Sequence, residues 1–196
     1  MSIKKTLEYV AEKMDRDNDI LFLYLTSHGS KEHDFYLNQP SLPLSDYSAE
    51  ELGKDLKNLN IRNKVVVISA CYSGGFISKL DDGATVVITA AQKDKTSFGC
   101  ADRNQFTYFG EAYFKEGLAK GLNFFTAFDN ATQLVSKWEQ AESVTSSEPQ
   151  ILKPKEITHR INTWFNNLQQ NKLGPHASVQ VTALEPIEAI PADTKS

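Results

Sequence analysis

Cys71 closes an apolar run and opens a pair of glycines in Val65-Val66-Val67-Ile68-Ser69-Ala70-Cys71-Tyr72-Ser73-Gly74-Gly75. His28 stands in the same kind of place, at the end of Ile20-Leu21-Phe22-Leu23-Tyr24-Leu25-Thr26-Ser27-His28-Gly29-Ser30. A thiol is a poor nucleophile until it becomes a thiolate, and a nearby imidazole can take its proton or activate the substrate. The backbone N–H groups beside His28-Gly29 and at Cys71 can hold a developing oxyanion. Acyl transfer is therefore the natural reaction class. Gly74-Gly75 is expected to let the chain turn sharply or approach a substrate closely. A lone cysteine is more often a small buried thiol, and a lone histidine as often a hydrogen-bonded core residue. Two reactive types at equivalent strand ends favour catalysis. His33, in a polar loop, and His159 and His176, near the C-terminus, are expected to be solvated.

These residues need elements to position them. Unbroken Val- and Ile-rich runs read as strands buried on both faces of a parallel sheet, whose carboxyl ends open onto one crevice. Residues 20–26 and 65–69 are two such strands, and 84–90 is a third. Helical spacing covers residues 3–14, and Ser48-Ala49-Glu50-Glu51 is a capping box that starts a helix through Leu52, Leu56 and Leu59. A short helix is expected at 76–80, others at 109–119 and 124–144, and a weaker one at 155–168. Phe35-Tyr36-Leu37-Asn38 reads as a short strand or hairpin arm, Pro40 and Pro43 as a turn, and 147–151 as an extended break. Strands alternating with helices imply an α/β fold with parallel strands. The connection 91–107 holds Asp94, Ser97, Cys100 and Asp102, and its length points to function.

The chain has 196 residues, 40% hydrophobic and 23% charged, which suits one domain with a sizeable core. That domain is expected over 1–173, with 174–196 a flexible tail. A formal net charge of −4 and the lack of a basic block argue against nucleic acid as a partner. Cys71 and Cys100 are too few for a disulfide framework and lack metal-ligand spacing, so no metal and no cofactor are expected. Cys100 is expected to be structural or incidental. No stretch approaches the ~18 apolar residues of a membrane span, and the N-terminus has no signal-peptide apolar region. The chain is expected to be soluble.

The two blocks resemble the histidine and cysteine blocks of the caspase-like cysteine peptidases, and most closely the legumain family, which also holds the catalytic subunit of the GPI-anchor transamidase. The match continues through Ile88-Thr89-Ala90-Ala91, Thr96-Ser97-Phe98-Gly99-Cys100 and Thr107-Tyr108-Phe109-Gly110-Glu111. It covers about residues 19–151 and is strongest to compact bacterial members. The resemblance implies a caspase-like three-layer α/β/α sandwich with a mostly parallel sheet. It implies Cys71 as nucleophile, His28 as its partner, and the N–H groups of Gly29 and Cys71 as the oxyanion site.

The resemblance further implies peptide or protein substrates cleaved after Asn or Asp, with Ser97 and Glu111 in the pocket for that residue. This chain departs from the legumain pattern twice. Ser69 stands where the legumain pocket has a carboxylate two residues before the cysteine. The basic pocket residue that the family takes from an earlier strand has no counterpart, since the first strand here already carries His28. The resemblance thus implies a sheet lacking its first strands, an N-terminally incomplete domain, and self-association through the uncovered edge. Three functions follow: a cysteine endopeptidase, a transamidase or peptide ligase that resolves the acyl-enzyme with an amine, or a truncated domain that binds peptides or subunits without catalysis.

Overall fold

A computed structural model of the chain describes residues 3–37, 45–99 and 105–172. Along it lie α1 (Ile3–Lys13), β1 (Ile20–Thr26), β2 (Asp34–Phe35), β3 (Tyr47–Ser48), α2 (Ala49–Asn58), β4 (Asn63–Ser69), α3 (Ile77–Leu80), β5 (Thr85–Thr89), α4 (Tyr108–Gly110), α5 (Phe124–Ala141), β6 (Gln150–Leu152) and α6 (Lys155–Lys172). The β-branched runs become strands because a fully buried pleated surface suits their stiff side chains. The main sheet has the order β1-β4-β5-β6, so the cysteine strand is interior. β1, β4 and β5 are parallel, with Thr26 level with Ser69 and Ile68 level with Thr89.

Every residue of β4 and of β5 is buried. Alternate side chains point to opposite faces of a strand. Val66 and Ile68 accordingly join Leu7, Ala11, Leu52 and Leu56 of α1 and α2. Val65 and Val67 join Phe128, Val135, Ile157 and Ile161 of α5 and α6. The result is helix, sheet, helix: an α/β sandwich of three layers around a mostly parallel sheet. The capping box at the start of α2 forms as expected. Ser48 Oγ accepts from Glu51 N at 3.2 Å, and Glu51 Oε2 accepts from Ser48 N at 3.0 Å.

Three segments differ from expectation. Residues 150–152 pair antiparallel with β5, with Ile151 level with Ile88, where only an extended break is predicted. Three residues are too few to show a period. The helix expected over 109–119 is broken into α4, a π turn at Glu111–Lys115 and a 3₁₀ turn at Leu118–Lys120. Gly117 interrupts it, lying so close to the Tyr113 carbonyl that a Cβ would stand 2.4 Å from that oxygen. The hairpin arm shrinks to the two residues of β2, paired with β3. Asn38, Pro40, Pro43, Cys100, Asp102 and the tail from 174 lie outside the described residues.

β1 pairs with β4 alone, and among the described residues no strand meets its other edge. The strand is therefore not buried on both faces as its unbroken apolar run predicts, because it is the outer strand: only Leu21 is buried, and Phe22 and Tyr24 are 38% and 36% exposed. Phe22 stacks on Phe124 at 5.3 Å between centroids, and Tyr24 meets Phe114 edge-on at 4.6 Å. The strand carries no charge, proline or bulge, the usual protections of an edge. Light scattering over a concentration series should therefore show the chain self-associating, and Tyr24→Lys should reduce this. Wild-type protein that stays monomeric throughout would contradict the expectation.

Candidate active site

The site is built where β1 and β4 end. Their pairing extends one step beyond the strands, with Ser27 N donating to Ser69 O at 3.3 Å. Gly29 and Cys71 then touch. A Cβ on Gly29 would stand 2.2 Å from the Cys71 carbonyl oxygen, so only glycine fits there. A β-bridge to Phe35 folds the histidine loop back on itself. It uses Ser30 N to Asp34 O at 3.0 Å and Tyr36 N to His28 O at 3.0 Å, while Ser27 Oγ donates to Tyr36 O at 2.8 Å. His28 is thus held by its backbone with its side chain exposed. Among the described residues, neither the Gly29 N–H nor the Cys71 N–H has an intramolecular acceptor. Two uncommitted donors on touching residues are available to an oxygen acceptor.

Cys71 is half-buried, and its sulfur faces the 91–99 segment. Ser97 N donates to Sγ at 3.3 Å, and Sγ lies 3.6 Å from Ser97 O and 3.8 Å from Ser97 Oγ. Ser97 therefore touches the thiol itself. The next residue, Tyr72, adopts the left-handed region at φ 56° and ψ 16°, which turns the chain sharply into a 3₁₀ turn at Ser73–Phe76. The expected role of the paired glycines changes accordingly. Neither has a positive φ, and their missing side chains admit protein groups. Gly74 lies under the Gln92–Lys93 peptide, and Gly75 lies against the ring of His33.

His33 is a correction to the sequence reading. It is half-buried, with Nδ1 3.1 Å from the Tyr72 carbonyl, and not a solvated loop residue. Periodicity gave no signal for it, because it sits in an irregular loop. His159 is exposed, as expected, and His176 lies outside the described residues.

The residues expected to line the pocket come together in part. Ser69 is 1% exposed, and its Oγ lies 3.0 Å from Thr107 Oγ1. Thr107 caps α4, accepting from Gly110 N at 3.0 Å. Tyr108 N donates to Phe98 O at 3.1 Å, which lays this turn against the Ser97 segment. Thr107 thus joins the site; its place in the matching block was its only signal. Glu111 follows half-buried, and its carboxylate pairs with Lys115 at 2.6 Å. That bond and charge hold the Lys115 ammonium above its ordinary value. Among the described residues no group of His, Cys, Asp and Glu could hold a metal ion.

The segment that faces the thiol is anchored from below. Tyr72 N donates to Lys95 O at 2.7 Å, Lys95 N to Gln92 O at 3.1 Å, and Gln92 N to Ser147 O at 2.9 Å. Ser147 N in turn donates to both carboxylate oxygens of Glu139 on α5, at 3.1 Å each. Glu139 is only 2% exposed. Removing it leaves a buried donor unmet, which costs about 1–3 kcal/mol. Urea unfolding of Glu139→Leu should show a loss of about 2 kcal/mol, with Glu139→Gln losing less because an amide oxygen still accepts. Equal losses in the two variants would remove the hydrogen bond as the cause.

The architecture is caspase-like. Caspase-1 from Spodoptera frugiperda superposes with a TM-score of 0.52 at 17% identity, over 78% of this chain and 66% of that one. The chain thus spans just under two thirds of the length of the caspase it matches. The Peptidase C13 family profile matches residues 6–157. The chain belongs to this family, the legumain family of cysteine peptidases. No curated protein matches it at a significant level.

Proposed function

We propose that the chain is a cysteine endopeptidase that cleaves after Asn or Asp through Cys71 and His28. The observation that carries this reading is the contact of the two strand ends, with the Gly29 and Cys71 N–H groups both lacking an intramolecular acceptor among the described residues. In this mechanism Cys71 gives its thiol proton to His28, and the thiolate attacks the scissile carbonyl carbon. The carbonyl oxygen becomes an oxyanion held by the two N–H groups. The intermediate collapses as His28 gives a proton to the leaving amine, and the acyl group stays on Sγ. Water, deprotonated by His28, then attacks the thioester, releases the acid and restores the thiol. No metal or cofactor takes part.

The pocket for the residue before the scissile bond is assigned to Ser69, Thr107, Ser97 and Glu111. Ser69 and Thr107 put a hydroxyl pair where legumains carry a carboxylate, and neutral hydroxyls can both donate and accept. A side-chain amide offers the complementary groups. Protein substrates are what the family implies. An Asn-containing peptide with an alkylating warhead should label Cys71, located by mass mapping, and should leave Cys100 unlabelled. Absence of labelling, or equal labelling of both thiols, would overturn the proposal.

A further inference from the structure

His33 lies 3.1 Å from the Tyr72 carbonyl across 39 residues of sequence. A carbonyl oxygen only accepts, so Nδ1 carries the proton. The same carbonyl accepts from Gly75 N at 3.2 Å, and the Tyr72 N–H is taken by Lys95 O at 2.7 Å. Both peptide planes around Tyr72 are therefore pinned, at a residue whose backbone is strained. The imidazole also fills the space beside Gly75, where a Cβ would stand 2.2 Å from the ring. On its own side His33 is fixed just as firmly. Ser30 Oγ accepts from Asp34 N at 3.1 Å and Glu32 N at 3.2 Å, His33 N donates to Ser30 O at 3.1 Å, and Ala49 N at the start of α2 donates to His33 O at 3.0 Å. His33 too is left-handed, at φ 66°.

We propose that His33 is a positioning residue that ties the loop carrying His28 to the turn carrying Cys71, through its Nδ1–H on the Tyr72 carbonyl. This rests on the assignment of Cys71 as the nucleophile. The ring is not a proton carrier for the reaction. It fixes the distance between two strand ends that must present an acid–base group, a sulfur and two N–H donors to one substrate carbonyl. Displacing reacting groups by about 1 Å costs about 100-fold in rate, so the clamp acts on turnover more than on binding.

Three variants of the full chain and one spectrum test this. His33→Ala should lower kcat for an Asn-containing peptide by about 10- to 100-fold, the range for a residue that orients another, with KM within about twofold. His33→Asn should recover most of the loss, since its amide N–H can take the place of Nδ1–H and asparagine tolerates φ > 0. Nitrogen-15 spectra of wild-type histidines above pH 8 should show the His33 proton on Nδ1. A proton on Nε2 instead would overturn the clamp, whether or not the alanine variant folds. A fall in the asparagine variant equal to that of alanine, or a loss confined to KM, would do the same. The third variant, Cys71→Ala, separates the two ideas: continued hydrolysis by it overturns the nucleophile, and the positioning role with it, while leaving the tautomer result as it was.

Discussion

Cys71→Ala is expected to lower peptide hydrolysis by at least about 10⁴-fold, the scale seen when a nucleophile is removed from a unit of cooperating groups. Cys71→Ser should fall nearly as far, because a hydroxyl is a far weaker acid than a thiol and is much less readily turned into the attacking anion. The fold should survive both changes. Cys71 lies one residue beyond the buried Ala70, is itself only half-buried, and belongs to neither core cluster. Initial rates with an Asn-containing peptide, set beside circular dichroism of the same samples, check both halves. Hydrolysis by purified Cys71→Ala within tenfold of wild type would remove Cys71 from the mechanism.

Gly29→Ala should be the most damaging change that leaves every proposed reacting side chain in place. The new methyl would stand 2.2 Å from the Cys71 carbonyl oxygen and 3.3 Å from Ala70 Cβ. The first contact is with backbone at the end of a fully buried strand, so neither partner has a rotamer by which to yield. The strand ends must separate, at a cost of about 1–3 kcal/mol for an overpacked site. A separation of about 1 Å also breaks the alignment of the paired N–H donors, which costs about 100-fold or more in kcat. Thermal unfolding and steady-state kinetics should therefore both respond. A variant with wild-type turnover would show that Gly29 and Cys71 need not touch for the reaction.

The strands were legible because full burial leaves a plain mark. β4 and β5 have no exposed residue, and their Val and Ile runs stand out in the sequence. The place of Cys71 at a strand end was legible for the same reason, whereas the run before His28 marked a strand without being buried on both faces, since only Leu21 of β1 is buried. β6 and the π turn were not. The edge strand is only three residues long and half-buried throughout, so neither length nor alternation marks it. The π turn at Glu111–Lys115 is a single widened turn inside a helical pattern, which no hydrophobic period reports. His33 was missed because its position depends on loop closure by Ser30 and on the space beside Gly75, far along the chain. Contacts between loops leave no period in either loop. The paired glycines after Cys71 were read as a sharp turn or a close approach to a substrate, and they do lie in a sharp turn. The space they leave is occupied by the chain itself.

The left-handed backbone of Tyr72 sets two selective pressures against each other. Holding a residue with a Cβ at φ 56° costs about 1–2 kcal/mol, and glycine in its place would recover part of that. A selection for heat resistance alone would therefore drift toward glycine at position 72. The same change would loosen the turn after Cys71, because a glycine backbone reaches many more conformations in and out of the bound geometry. Variants gathered by screening for melting temperature should then lose turnover at this residue, as expected where a site holds local strain. Residue 72 is one at which a thermostabilised form of this chain is best left as tyrosine.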